Sequence, residues 1–132
     1  MTVVLDASVV VGALVDGWEV GAWAEKVLRD PRLTAPHHLP VEVASILRRA
    51  AASGDVSPDV AWLAQADLLG LRVELVAYAP LAKRVWELRE NVTAYDAWYV
   101  VLAERVDAPL ATLDRRLTRA SGLRCQFLVP TQ

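Results

Sequence analysis

The chain opens with Thr2-Val-Val-Leu5, an apolar β-branched run without polar alternation. That is the pattern of a strand buried on both faces. Helical material is expected from Ala7 to Val15 and again from Trp18 to Arg29. Asp30-Pro31 closes this unit, because a residue before proline is pushed out of the helical region. Leu33-Thr-Ala35 reads as a second strand. Pro40 suits the first turn of a helix reaching Ala52, which Ser53-Gly54 ends. Ser57-Pro58 opens the next helix with a cap residue followed by proline, and Gly70 lies near its end. A third strand follows at Val73-Glu-Leu-Val76, then helices over Leu81–Glu90 and Tyr95–Val106. Pro109–Thr112 is a fourth strand, Asp114–Ala120 a short helix, and Phe127–Val129 a fifth strand. Alternating strands and helices predict an α/β fold, a parallel sheet with helices on both faces. There is no repeat, low-complexity stretch or linker, so residues 1–132 are expected to form a single domain.

Against this apolar pattern, four acids stand out. Parallel α/β sheets place their sites just beyond the carboxyl ends of the strands. Asp6 directly follows the first strand, and Asp114 lies two residues past Thr112, where the fourth ends. Asp6 is the only charge between Thr2 and Val15, and Asp96 the only one between Thr93 and Ala103. The helix carrying Asp96 is apolar around nearly its whole circumference, as expected of a central buried helix. A carboxylate there must be paired, hydrogen-bonded, protonated or on a metal. Glu42 projects from the edge of a helical core stripe formed by Leu39, Val43, Ile46, Leu47 and Ala50, where core meets cleft.

Each acid also has a structural reading. Thr93-Ala-Tyr-Asp96 matches a capping box with Asp in place of Glu or Gln. Glu42 sits in a first helical turn, where negative charge suits the helix dipole. Asp6 and Asp114 could act likewise, and Asp114 could pair with Arg115 or Arg116. Taken together, converging carboxylates repel one another and would partly protonate without a cation. Hard oxygen ligands suit Mg²⁺ or Mn²⁺, which keep several waters and engage phosphate oxygens. Hydrolysis of a phosphodiester is the natural chemistry of such a site.

Composition narrows the picture. The chain has 132 residues, 55% hydrophobic, with five Trp, one Phe and a net charge of −2. The pI is about 5.6 and the mean hydropathy +0.28, high enough to suggest apolar surface reserved for a partner. The chain is no polycation, so nucleic acid would be met through a local basic patch. One cysteine, Cys125, excludes an intramolecular disulfide framework and a cysteine-rich zinc site, which fits a reducing cytoplasm. The apolar N-terminus lacks a basic flank, is interrupted by Asp6, and is shorter than a membrane-spanning helix requires.

Four blocks carry a family resemblance: Val4-Leu-Asp6-Ala-Ser8, Pro40-Val-Glu42-Val-Ala-Ser-Ile-Leu47, Thr93-Ala-Tyr-Asp96-Ala-Trp-Tyr99 and Leu110-Ala-Thr-Leu-Asp114-Arg-Arg-Leu117. In order, spacing and flanking residues the chain resembles the PIN-domain nucleases, over essentially its whole length, and most closely the VapC-type toxins of bacterial toxin–antitoxin pairs. The resemblance implies a three-layer fold with a five-stranded parallel sheet of order 3-2-1-4-5. It further implies an endoribonuclease dependent on Mg²⁺ or Mn²⁺, with Asp6, Glu42, Asp96 and Asp114 as catalytic and metal-binding residues. Ser8 and Thr112 match positions that support the acids by hydrogen bonding. A homodimer, a small cognate antitoxin, an RNA substrate, a cytoplasmic location and no membrane association are the remaining expectations. Transfer, ribosomal and messenger RNAs are all substrates within the family, and no residue here selects among them. Two rivals stand beside this reading: a catalytically silent PIN-fold binding module, against which the intact acids count, and a metal-dependent phosphatase. A phosphatase with an aspartyl nucleophile wants a second Asp where this chain has Ser8.

The remaining features are secondary. His37-His38 is expected in a solvent-facing loop, since adjacent side chains of an extended stretch point apart and no ligand partner sits at zinc spacing. Trp18 and Trp23 fit either a core or a partner surface. Among the basic residues flanking the acids, Arg49, Arg115 and Arg116 are candidates for RNA contact. Arg48 points away from the core stripe, as a solvated face would.

Overall fold

The computed structural model describes residues 1–15 and 20–131. Its sheet has five strands: β1 (Thr2–Leu5), β2 (Arg32–Pro36), β3 (Val73–Val76), β4 (Leu110–Ala111) and β5 (Phe127–Leu128). They run parallel in the order β3-β2-β1-β4-β5, as the resemblance implied. β1 is central and paired on both sides, so its Val3, Val4 and Leu5 are buried to 1% exposure or less. β4 is shorter than the pattern suggested, yet its pairing continues at both ends. Val4 N–H donates to Pro109 O at 3.0 Å, and Thr112 N–H to Leu128 O at 3.1 Å.

The helices fall into two groups. On one side are α1 (Ala7–Leu14), α2 (Gly21–Leu28), α3 (Leu39–Ser53) and α4 (Pro58–Leu69), packed on one another. On the other, α6 (Ala94–Val106) lies directly on β1, β2 and β4, with α5 (Ala82–Glu87) outside it. A four-residue α7 (Arg115–Thr118) follows β4. Consecutive α1 residues Val9, Val10 and Val11 are all fully buried, because neighbours cover the helix all round. Gly12 lets α2 approach: a Cβ there would meet Leu113 Cδ1 at 3.2 Å and Ala24 Cβ at 3.6 Å. α3 stops at Gly54, whose φ of 85° suits a residue without a side chain. Ser57 caps α4 by accepting from Val60 N–H at 3.2 Å. No helix among the described residues is long and apolar enough to cross a membrane.

Some boundaries move. α2 begins at Gly21, and Trp18 lies outside the described residues. Trp23 is half-buried against the core and lines a cavity of about 390 Å³ with Met1, Val3 and Val27. α5 is shorter than expected and is led in by a 3₁₀ turn, Ala79–Leu81, carrying Pro80.

Arg84 fastens α5 to the opposite end of α6. Its Nε and Nη2 donate to Glu104 at 2.9 and 3.2 Å, and Nη2 also donates to Gly122 O at 2.9 Å. The same carboxylate accepts from Arg124 N–H at 2.9 Å, so one ion pair also ties down the connection to β5. Hydrogen bonds to charged groups contribute about 1.5–3 kcal/mol each when partly buried. Arg84→Ala is therefore expected to cost about 2 kcal/mol, read as a lower urea midpoint with an unchanged slope. Nearby, burial pushes the Cys125 thiol up to about 11, which leaves it a poor nucleophile.

Candidate active site

All four acids named from the sequence stand where elements leave the carboxyl-end edge of the sheet. Asp6 links β1 to α1, and its backbone N–H donates to Ala111 O at 3.0 Å. It occupies the cap position of α1, but its carboxylate makes no cap bond. Instead Oδ2 accepts from Ser8 Oγ at 3.0 Å and Thr112 Oγ1 at 2.6 Å. Those hydroxyls are themselves held by the chain beyond β4. Leu113 N–H donates to Ser8 Oγ at 3.1 Å, and Asp114 N–H to Thr112 Oγ1 at 3.0 Å. Ser8 and Thr112 thus bind both the acid and the loop carrying the next acid.

Asp114 does cap a helix: its Oδ1 accepts from Arg116 N–H at 3.0 Å and Leu117 N–H at 3.3 Å. Its structural reading is realised, although that leaves its other oxygen. Asp96 behaves differently. Thr93 Oγ1 accepts from Asp96 N–H at 3.2 Å, but among the described residues the Asp96 carboxylate takes no return bond from the Thr93 backbone N–H. Half of the capping box forms, and the carboxylate remains available.

Electrostatics connects the four. Burial raises the Asp96 carboxyl above its ordinary range, and repulsion from Asp6, Asp114 and Glu42 raises it further. Burial is also the main cause of the upward shift at Asp6. There the Thr112 and Ser8 bonds oppose it and Glu42 adds to it. Asp96 thus feels all three of the other acids. No three acidic, histidine or cysteine side chains among the described residues form a ready-made ligand cage. An ion that keeps most of its waters and takes one or two carboxylates suits this arrangement better than one needing an all-protein shell.

His38 corrects one expectation. It does not face solvent from a loop: it sits at the cap of α3, 12% exposed, with Nε2 2.6 Å from Glu42 Oε1 and 3.2 Å from the Tyr95 carbonyl. Its ring stacks on Trp98 with centroids 4.5 Å apart and planes 2° from parallel. His37, by contrast, is exposed. The sequence signal lay in the spacing: from a helix cap, four residues on is the same face, which brings His38 to Glu42. Tyr99 was also missed. Its hydroxyl is buried beside Glu42 and Asp6, and burial followed by those two charges keeps the phenol protonated.

The candidate arginines separate. Arg115 Nη2 donates to Pro130 O at 2.6 Å, fastening the end of the chain. Arg49 lies on the same face of α3 as Glu42, exposed, with Nη1 donating to Ser45 Oγ at 3.1 Å. Arg116 is exposed beside Asp114, and Arg48 is exposed as expected.

The chain matches the PIN domain family over residues 3–123. It is 40% identical over 125 residues to Ribonuclease VapC1 of Mycobacterium tuberculosis, covering 94% of each protein. The chain is a VapC-type PIN domain. In three dimensions this PIN domain resembles the crystal structure of M. tuberculosis VapC20, described as a sarcin–ricin-loop-cleaving toxin. The TM-score is 0.70 at 17% identity, over 93% of this chain and 97% of that one. It also resembles VapBC2 from Rickettsia felis, solved with a DNA fragment from its promoter. There the TM-score is 0.67 at 14% identity, over 98% of each chain. The five-strand order of the PIN domain is thus common ground, and the acids occupy its carboxyl-end edge.

Proposed function

We propose that this PIN domain is an endoribonuclease toxin that hydrolyses RNA phosphodiester bonds with Mg²⁺ or Mn²⁺, and that a small cognate antitoxin restrains it. The observation that carries the reading is the convergence of Asp6, Asp96, Glu42 and Asp114 from four separate elements, with two of the carboxyls held above their usual range. Such a cluster is at odds with itself until a cation neutralises it. The ribonuclease name of the VapC1 relative supports the substrate class, and the VapBC2 arrangement supports the partner.

In this mechanism Asp6, Asp96, Asp114 and Glu42 would hold the divalent ion. When bound, the ion supplies a more acidic water and neutralises charge on the phosphate and leaving oxygens. Ser8 and Thr112 keep one Asp6 oxygen engaged, so the carboxylate presents a fixed edge to the cleft. His38 holds Glu42 from behind. Arg49 and Arg116 flank the acids as phosphate contacts, whereas Arg115 is committed to Pro130. The phosphatase alternative loses ground, because Ser8 is a hydrogen-bond donor to Asp6 where a second acid would be needed.

A homodimer belongs to the same proposal. The exposed apolar residues Trp62, Leu63 and Leu69 on α4 suit such an interface.

Two substitutions in one helix turn test the acid assignment. Thr93→Ala removes a cap and should cost about 1 kcal/mol of stability with little effect on cleavage per folded molecule. Asp96→Ala should remove cleavage while the protein still folds. Melting curves paired with specific activity on RNA check both. A purely structural Asp96 would give the reverse, a strong loss of stability with cleavage retained.

A further inference from the structure

Beside the acids, the ends of β2, β3 and the first turns of α6 bring together an unusual number of aromatic rings. Trp98 is their centre. It stacks on His38, takes Tyr78 at a T-shaped 5.3 Å, and has His37 at 6.5 Å. Tyr95 reaches the group through His38, at 5.9 Å. Trp98 and His38 are half-buried, whereas Tyr78 is 40% exposed and Tyr95 66%. These two outer rings rest on a packed aromatic layer, so they are held in place before any ligand arrives. The layer joins the acid site directly: Tyr95 precedes Asp96, and His38 touches both Trp98 and Glu42.

We propose that Tyr78 and Tyr95, backed by Trp98 and His38, form a base-stacking subsite that holds an unpaired nucleobase of the RNA next to the bond being cut. This deepens the ribonuclease reading and rests on it. Every base has a π-face, so such a surface favours unpaired over paired RNA without demanding one sequence. Bases stacked within a helix cannot reach it, and the substrate class becomes single strands, loops and bulges. A nucleobase fits the position better than a protein partner because the next group along the strand is a phosphate. The adjoining acids are the part of the molecule suited, with a cation, to receive it.

The test uses the full chain carrying Asp6→Asn, to block cleavage, with Mn²⁺ and a short single-stranded RNA bearing 2-aminopurine at successive positions. At one position the fluorescence should be quenched on binding. Tyr78→Ala and Tyr95→Ala should each weaken binding roughly tenfold and relieve the quench, the size expected for one lost base stack. Tyr78→Phe and Tyr95→Phe keep the ring and should stay within about twofold of the parent. Trp86→Ala, an exposed aromatic outside the cluster, should change nothing. Equal affinity and equal quenching in the alanine variants would overturn the subsite, as would equal binding of a fully paired version of the RNA. Alanine variants that keep RNA affinity but lose a co-expressed partner protein would assign the surface to that protein instead. Cleavage with Asp6 intact separates the two readings. A parent that cuts this RNA, with alanine variants cutting at an unchanged kcat/KM, sinks the subsite alone. A parent that cuts no RNA sinks the ribonuclease reading and the subsite with it.

Discussion

Asp6→Asn is expected to abolish RNA cleavage and to leave the melting temperature at or above that of the parent. Asparagine has the shape of aspartate, and its side-chain carbonyl can accept the bonds that Ser8 and Thr112 donate to Oδ2. The loop carrying Asp114 therefore stays in place. What disappears is a charge that burial penalises and that Glu42 repels. Removing it should relieve the metal-free protein and, on the proposed mechanism, deprive the ion of a ligand. Loss of residues that merely support a metal ligand costs about 10–100-fold, so loss of the ligand itself should cost more than about 100-fold in kcat/KM. Parent-level cleavage in Mg²⁺ by the purified variant would remove Asp6 from the mechanism.

The second large effect links all four acids. Asp6 and Asp96 both hold their protons more tightly in the folded chain than free carboxyls do. A raised folded value gives stability that is complete below the ordinary carboxyl range and is lost as pH rises through the folded value. Without metal, the wild type should therefore lose more stability, as pH rises from the ordinary carboxyl range towards neutrality, than a variant carrying Asp6→Asn and Asp96→Asn. Millimolar Mn²⁺ should act in the opposite direction. Binding only to the folded, ionised site, it should raise the wild-type melting temperature by several degrees near neutrality, and by less near pH 5. The double variant should show a much smaller shift. An equal Mn²⁺ shift in both proteins would mean that the cation binds elsewhere, and the metal mechanism would have to go.

Much of this architecture is legible in the residues because local signals and burial agree. β1 could be read from Thr2 and the three apolar residues after it, since a strand flanked on both sides needs no polar face. α4 announces itself with Ser57-Pro58, which the structure uses as cap and first turn. Asp6 and Asp96 were visible as lone charges in apolar windows. What escaped depends on geometry between elements. His38 was judged as part of an extended stretch, but it begins a helix, where the relevant neighbour is four residues on. Arg115 looked like a phosphate contact, and only the path of the C-terminal residues shows that Pro130 claims it. Tyr99 read as one more apolar position, because no local pattern shows which buried hydroxyl faces two carboxylates. The edges of β4 and β5 blur for a similar reason, since their length is set by partners distant in sequence.

The bond from Thr112 to Asp6 closes a loop of 106 residues. A contact that distant cannot form until Thr112 itself has been added to the growing chain. A polypeptide still being translated therefore carries Asp6 long before the residue that fixes its carboxylate exists. A chain cut short before Thr112 would lack both that hydroxyl and Asp114, so the four-acid cluster is complete only once the last elements have been made.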